Sequence, residues 1–129
     1  MMRTALSLLL TVHGIAHLPG FLVPWRLAAP ADMPYTTSVF GGTADLGAAG
    51  IRIVGVLWLL AAVAFIVAGA ATFMGDSAWR TLAMTATLAS LALTVLGWPQ
   101  SQIGLAVNLV LLAYLILGGR LAWFPGTAE

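Results

Sequence analysis

The chain reads as an all-α transmembrane four-helix bundle, and three observations carry that reading. Hydrophobic residues make up 61% of the sequence, charged residues only 7%, and the mean hydropathy is +1.04. Soluble domains carry about a quarter charged residues, so five arginines and four acids cannot dress the surface of a water-soluble fold of this size. The apolar residues gather into four stretches, each close to the about 20 residues a helix needs to cross a bilayer. The prolines and charges fall largely between those stretches, where the backbone must turn. The length of 129 residues suits one compact domain over 1–129.

The first span is expected over residues 4–22. Met1-Met2-Arg3 ahead of an apolar run resembles the start of a signal peptide, but two histidines followed by Leu18-Pro19-Gly20 make a poor cleavage region. It is therefore read as a retained helix, kinked or ended near Pro19 and Gly20. The connection 23–52 holds Pro24, Pro30, Pro34, Gly41, Gly42, Gly47 and Gly50 together with Arg26, Asp32 and Asp45, a mixture that cannot cross hydrocarbon. A connection of that length in so small a protein is either a lid or binding loop, or a segment lying on the headgroups. The remaining spans are expected over 53–74, 81–97 and 102–118. Their short connections at 75–80 and 98–101 imply an up-down-up arrangement.

Four spans place both termini on one side, with Arg3, Arg80 and Arg120; Arg26 and Arg52 lie on the other. The arginine excess puts both termini in the cytoplasm and makes the long loop extracytoplasmic, as expected for a multi-pass protein of a bacterial cytoplasmic membrane. Trp79 and Trp123 then mark the inner interface, Trp25 and Trp98 the outer one.

His13 and His17 are the only histidines. They lie one helical turn apart on one face of the first span, and ionisable groups at bilayer depth are costly. At 1.5 Å per residue, His17 lies about 8 Å below the outer boundary, His13 about 14 Å, Asn108 about 9 Å and Trp58 about 8 Å. Ser90 and Thr94 fall in the same outer half. If these groups face inward, His13, His17, Trp58 and Asn108 line a polar pocket opening toward the loop. Each also has a plainer role: the histidines as interhelical hydrogen-bond glue with Asn108 or Thr94, Trp58 as packing, and the Thr87, Ser90, Thr94 stripe as helix contact. The row Ala61, Ala64, Ala68, Ala71 reads as a close helix approach.

Several function classes drop out. Without a lysine or a cluster of arginines there is no nucleic-acid footprint. Without cysteine there are no disulfides, thiolate nucleophiles or iron–sulfur ligands. No Walker loop or Gly-x-Gly-x-x-Gly is present. The intramembrane stretches carry no acid, lysine or arginine to couple ion transport. His13 and His17 have the spacing to share one metal ion, with Asp32 or Asp45 as the third ligand. They lie on one side, so they cannot take both axial positions of one haem. A neutral histidine can also relay a proton to a quinone or a lipid headgroup.

His-Gly-Ile-Ala-His-Leu-Pro-Gly-Phe at 13–21, Gly-Val-Leu-Trp-Leu-Leu-Ala-Ala at 55–62 and Gly-Trp-Pro-Gln-Ser-Gln-Ile-Gly-Leu-Ala-Val-Asn-Leu at 97–109 resemble an uncharacterised group of small bacterial four-helix integral membrane proteins. These carry H-G-x-x-H in the first helix, G-x-x-W in the second and G-x-x-x-N in the fourth. The resemblance spans all four helices and implies the fold but no activity. Where the group often has an aspartate after the tryptophan of the third segment, this chain has Pro99 and Gln100. A looser, topological likeness is to DoxX-like proteins, four-helix membrane partners of quinone-linked redox systems. The function expected is binding of a small amphipathic molecule, a lipid or quinone, with membrane lipid and a second copy or another membrane protein as partners. The alternatives are a metal- or redox-dependent membrane enzyme using His13 and His17, and a purely structural subunit. The cofactor is left open.

Overall fold

The computed structural model describes residues 1–121, 123 and 124; the rest of the single domain expected over 1–129 lies outside the described residues. Four spans, Met2–Leu22, Gly47–Met74, Trp79–Leu96 and Gln102–Arg120, are long and apolar enough to cross a membrane. They form an all-α four-helix bundle, and the chain is a multi-pass membrane protein.

The first span is two helices. α1 covers Met2–Ile15 and α2 covers Pro19–Leu22, with a turn through Ala16, His17 and Leu18. The break falls before Pro19, because proline lacks the N–H that would continue the ladder; Leu18 itself keeps helical dihedrals, φ −58° and ψ −39°. Pro19 then sits at the first position of α2, where its fixed φ is an asset.

The second span, α3, covers Gly47–Met74, so the expected start at 53 and the expected loop 23–52 are both corrected: the loop ends at residue 46. Gly47 takes a positive φ of 69° that turns the chain into the helix, and Ala48 and Ala49 propagate it. At 28 residues α3 is about 42 Å long, longer than a hydrocarbon core of about 30 Å. Its first turns therefore serve as a post for the loop. α3 ends at Gly75, whose φ of 73° is left-handed; the following Asp76 N–H returns to the Ala71 carbonyl at 2.9 Å, as in a Schellman stop. α4 covers Trp79–Leu96 and α5 covers Gln102–Arg120, within two residues of the expected limits at each end.

α1 packs on α3, α3 on α4 and α4 on α5, leaving the closure between α1 and α5 as the thin side of the ring. The core lies toward the termini, where Leu6 and Leu10 meet Phe65 and Ala68, Ala83 and Ala86, and Leu111 and Leu115. Small residues let these backbones approach where lipid supplies no hydrophobic drive. Gly69 meets the Ser7 carbonyl and Thr11, and the Ser7 hydroxyl donates to the Gly69 carbonyl at 2.8 Å. Ala61, Ala68 and Ala71 are buried and Ala64 packs at the core's edge, as the row predicts.

The 23–46 loop is ordered locally. β1 (Ser38–Val39) pairs antiparallel with β2 (Ala44–Asp45) around a tight turn. One Asp45 carboxylate oxygen accepts from the Thr37 hydroxyl at 2.7 Å and from the Gly47 N–H at 2.9 Å. Those donors hold its carboxyl below the usual carboxylate range. The Trp25 indole N–H donates to the Arg52 carbonyl at 3.1 Å, tying the loop to α3.

Candidate functional site

Three helices bring four polar side chains to one point in the loop-side half. α1 and the turn after it supply His13 and His17, α4 supplies Ser90 and α5 supplies Asn108. All are nearly or fully buried, at 7, 2, 0 and 0% exposure respectively. The contacts are His13 Nε2 to Asn108 Oδ1 at 2.9 Å, Asn108 Nδ2 to Ser90 Oγ at 2.7 Å, Ser90 Oγ to His17 Nε2 at 2.5 Å, and His17 Nδ1 to the His13 carbonyl at 2.7 Å.

The protons in this network have only one arrangement when both imidazoles are neutral. A carbonyl can only accept, so His17 Nδ1 carries its proton and His17 Nε2 is the acceptor. The Ser90 hydroxyl must then donate to His17 Nε2 and accept from the Asn108 amide. Asn108 turns its carbonyl oxygen to His13, so His13 Nε2 carries the proton. His13 Nδ1 is left as a bare acceptor, with no hydrogen-bond partner among the described residues. Neutrality follows from the medium, because an unpaired imidazolium at this depth is costly.

The rings are held by packing. His13 and His17 meet edge to face at 4.7 Å between centroids, His13 stands edge-on to Phe65 at 4.7 Å, and His17 lies 5.2 Å from both Trp58 and Phe65. Glycines make room for this. A side chain at Gly20 would enter the Trp58 indole, and one at Gly14 would strike the Ala62 carbonyl and Phe65. The spacings of 13–21 and 55–62 thus appear as contact geometry: Gly20 and His17 are the surfaces on which the Trp58 ring lies, while Gly55 faces Pro24 and Trp25.

Beside the network is a cavity of about 920 Å³, at the upper end of the range of about 300–1,000 Å³ usual for small-molecule sites. His13, His17 and Trp58 line it. Leu9 and Val12 of α1 face Ile103 and Val107 of α5 across the thin side of the bundle, and Met33 and Phe40 come from the loop. The loop is therefore a roof over this space. Asn108 does not line the cavity; it stands behind His13 and sets that ring's orientation.

Three of the four expected ligand-binding residues thus share one cavity, and the fourth joins them by hydrogen bond. The expected pairing of His13 with Asn108 is present, but the cavity is present as well, so direct pairing and a binding space are compatible. The residue missed as a site residue was Ser90. In its stripe, Thr87 and Thr94 return their hydroxyls to the Ala83 and Leu91 carbonyls of their own helix, whereas Ser90 reaches outward. Its depth was the available signal. For metal binding, both His17 nitrogens hold hydrogen bonds, as does His13 Nε2, leaving His13 Nδ1 as the open donor atom of the pair. Asp45 is engaged by Thr37 and Gly47, and no group of three or more His, Cys, Asp or Glu side chains gathers among the described residues.

Compared with protein-family models, curated proteins and solved structures, the chain matches none. Function is therefore argued from the site.

Proposed function

We propose that this protein binds a small amphipathic molecule, a lipid or a quinone, in the cavity beneath the 23–46 loop, alone or as a subunit of a larger membrane assembly. The cavity carries the proposal: a mainly apolar space with a buried polar wall, bordered by α1 and α5, which pack little on one another. An amphipathic ligand would place its tail between α1 and α5 and its headgroup against His13 and Trp58. Its route is sideways from the bilayer. The setting that the arginine bias favours is a bacterial cytoplasmic membrane with both termini inside and the loop outside.

The test is saturable binding of a tailed benzoquinone and of a diacylglycerol to the purified protein in phosphatidylcholine nanodiscs. Val107→Trp fills the cavity from α5 and is expected to lower affinity at least about tenfold, through loss of the space the ligand needs. Binding that is unchanged in this variant removes the proposal. Orientation is checked separately in the naturally cysteine-free chain. An impermeant thiol reagent applied outside is expected to label Thr37→Cys and spare Ser77→Cys; the reverse pattern inverts the topology.

A second reading is favoured by the closed hydrogen-bond network, which joins α1, α4 and α5 without any ligand. In that reading the network is structural glue and the protein a structural subunit. Ligand-dependent thermal unfolding separates the two: Ser90→Ala loses stability in either reading, whereas glue alone predicts that no added ligand raises the unfolding temperature of the parent protein.

A further inference from the structure

The polar wall of the cavity has a definite donor and acceptor pattern. Of the groups that line it deep in the bundle, the Thr94 hydroxyl is spent on the Leu91 carbonyl, the Ser101 hydroxyl on the Thr94 carbonyl, and both His17 nitrogens on Ser90 and the His13 carbonyl. Two atoms remain. His13 Nδ1 is an acceptor by the proton arrangement derived above, and Trp58 Nε1–H is a donor by its chemistry. Neither has a hydrogen-bond partner among the described residues, where no buried side-chain nitrogen or oxygen lacks one. Both atoms therefore border open space, and the open space that both residues line is the cavity. The two rings flank His17, at 4.7 and 5.2 Å between centroids.

We propose that the cavity selects a neutral headgroup bearing a hydroxyl, which donates to His13 Nδ1 while the headgroup accepts from Trp58 Nε1–H, on an apolar tail lying between α1 and α5. This rests on the reading that the cavity is a ligand site. A headgroup that only accepts, such as a quinone, ether or ester, satisfies Trp58 but sets an oxygen lone pair against that of His13 Nδ1. Leaving a buried acceptor unpaired is disfavoured. An anionic headgroup has no partner, since no arginine lines the cavity. An ammonium finds no counter-charge on the His13 and Trp58 wall and is costly to desolvate there; the one acid that lines the cavity, Asp32, comes from the loop. A hydroquinone and a diacylglycerol share the required chemistry.

The experiment compares matched ligands on the unaltered protein in phosphatidylcholine nanodiscs. One series is an alkyl hydroquinone, its dimethyl ether and its oxidised benzoquinone, kept anaerobic where reduced. The other is a diacylglycerol and its methyl ether. In at least one series the hydroxyl form is expected to bind about tenfold tighter than its methylated or oxidised counterpart, and the series that shows it names the source. Trp58→Phe keeps the ring and removes the donor. It is expected to weaken the hydroxyl ligand several-fold. Equal affinities within both series overturn the headgroup assignment while leaving the cavity a ligand site. No saturable binding by any of the five compounds removes the ligand site itself.

Discussion

The terminal-side half and the loop-side half of the bundle are made from the same four spans, yet one carries the packed core and the other a cavity. Toward the termini, Leu6, Leu10, Phe65, Leu111 and Leu115 interdigitate over Ala68, Ala83 and Ala86, and the buried Ser7, Thr72 and Thr87 hydroxyls bond to backbone carbonyls. Toward the loop, α1 breaks at residues 16–18, the wall between α1 and α5 thins, and polar groups from three helices bond to one another beside a cavity. This cavity thus adjoins the polar network, the arrangement expected of a site, because voids cost packing energy.

The sharpest way to break this contrast is to make one deletion in each half. Phe65→Ala removes a ring with 0% exposure at the meeting point of the core and both histidines, and is expected to destabilise by about 3–5 kcal/mol. Val54→Ala, on the cavity wall, is expected to cost less than about 1 kcal/mol, because the space it borders is already open. Thermal unfolding in detergent measures both, and similar losses would mean the halves are equally packed.

Additions make the converse comparison. Ala64→Leu drives a larger side chain into the edge of the packed core and is expected to cost about 1–3 kcal/mol. Ala16→Leu, which points the same change at the cavity, is expected to be near neutral for stability and to weaken ligand binding. A neutral Ala64→Leu would turn that face of α3 toward lipid.

The network is then tested at its hub. Ser90→Ala strands His17 Nε2 and an Asn108 N–H, with an expected loss of about 1–2 kcal/mol, reduced if water from the cavity replaces the hydroxyl. A double-mutant cycle with Asn108→Ala should show coupling between the two sites; strictly additive losses would mean that Ser90 and Asn108 do not share a proton.

The smallest effect concerns the roof. With its carboxyl held below the usual range, Asp45 stabilises the loop above the ordinary value of 3.8, and that contribution fades as pH falls through the lowered folded value. Asp45→Asn should therefore increase proteolysis of the loop at neutral pH and equal the parent protein at strongly acid pH. A difference that grows on acidification would contradict the assigned bonds.

Much of this molecule is legible in its residues. The four spans follow from hydropathy and length, and the depth of His13, His17, Trp58 and Asn108 follows from counting along helices. The start of α3 did not, because Gly47, Ala48 and Ala49 are too weakly apolar to count toward a span but propagate a helix well. Ser90 escaped assignment as a site residue because a serine in a small-residue stripe looks the same whether its hydroxyl bonds its own helix, as Thr87 and Thr94 do, or a neighbour.

Composition and periodicity determined by themselves that the chain is a membrane-embedded α-helical bundle, because only helices satisfy their own backbone in hydrocarbon at these lengths. They also placed His13, His17, Trp58, Ser90, Thr94 and Asn108 in one outer layer. Only the tertiary structure decided how each helix is rotated, and hence which side chains meet. That rotation links His13 to Asn108 and His17 to Ser90, leaves Nδ1 of His13 open, and places it beside a cavity. The physical reason is that a span's hydrophobicity is nearly the same on every face when lipid surrounds it, so the sequence carries little record of which face looks inward; packing of small residues and pairing of the few polar groups must choose.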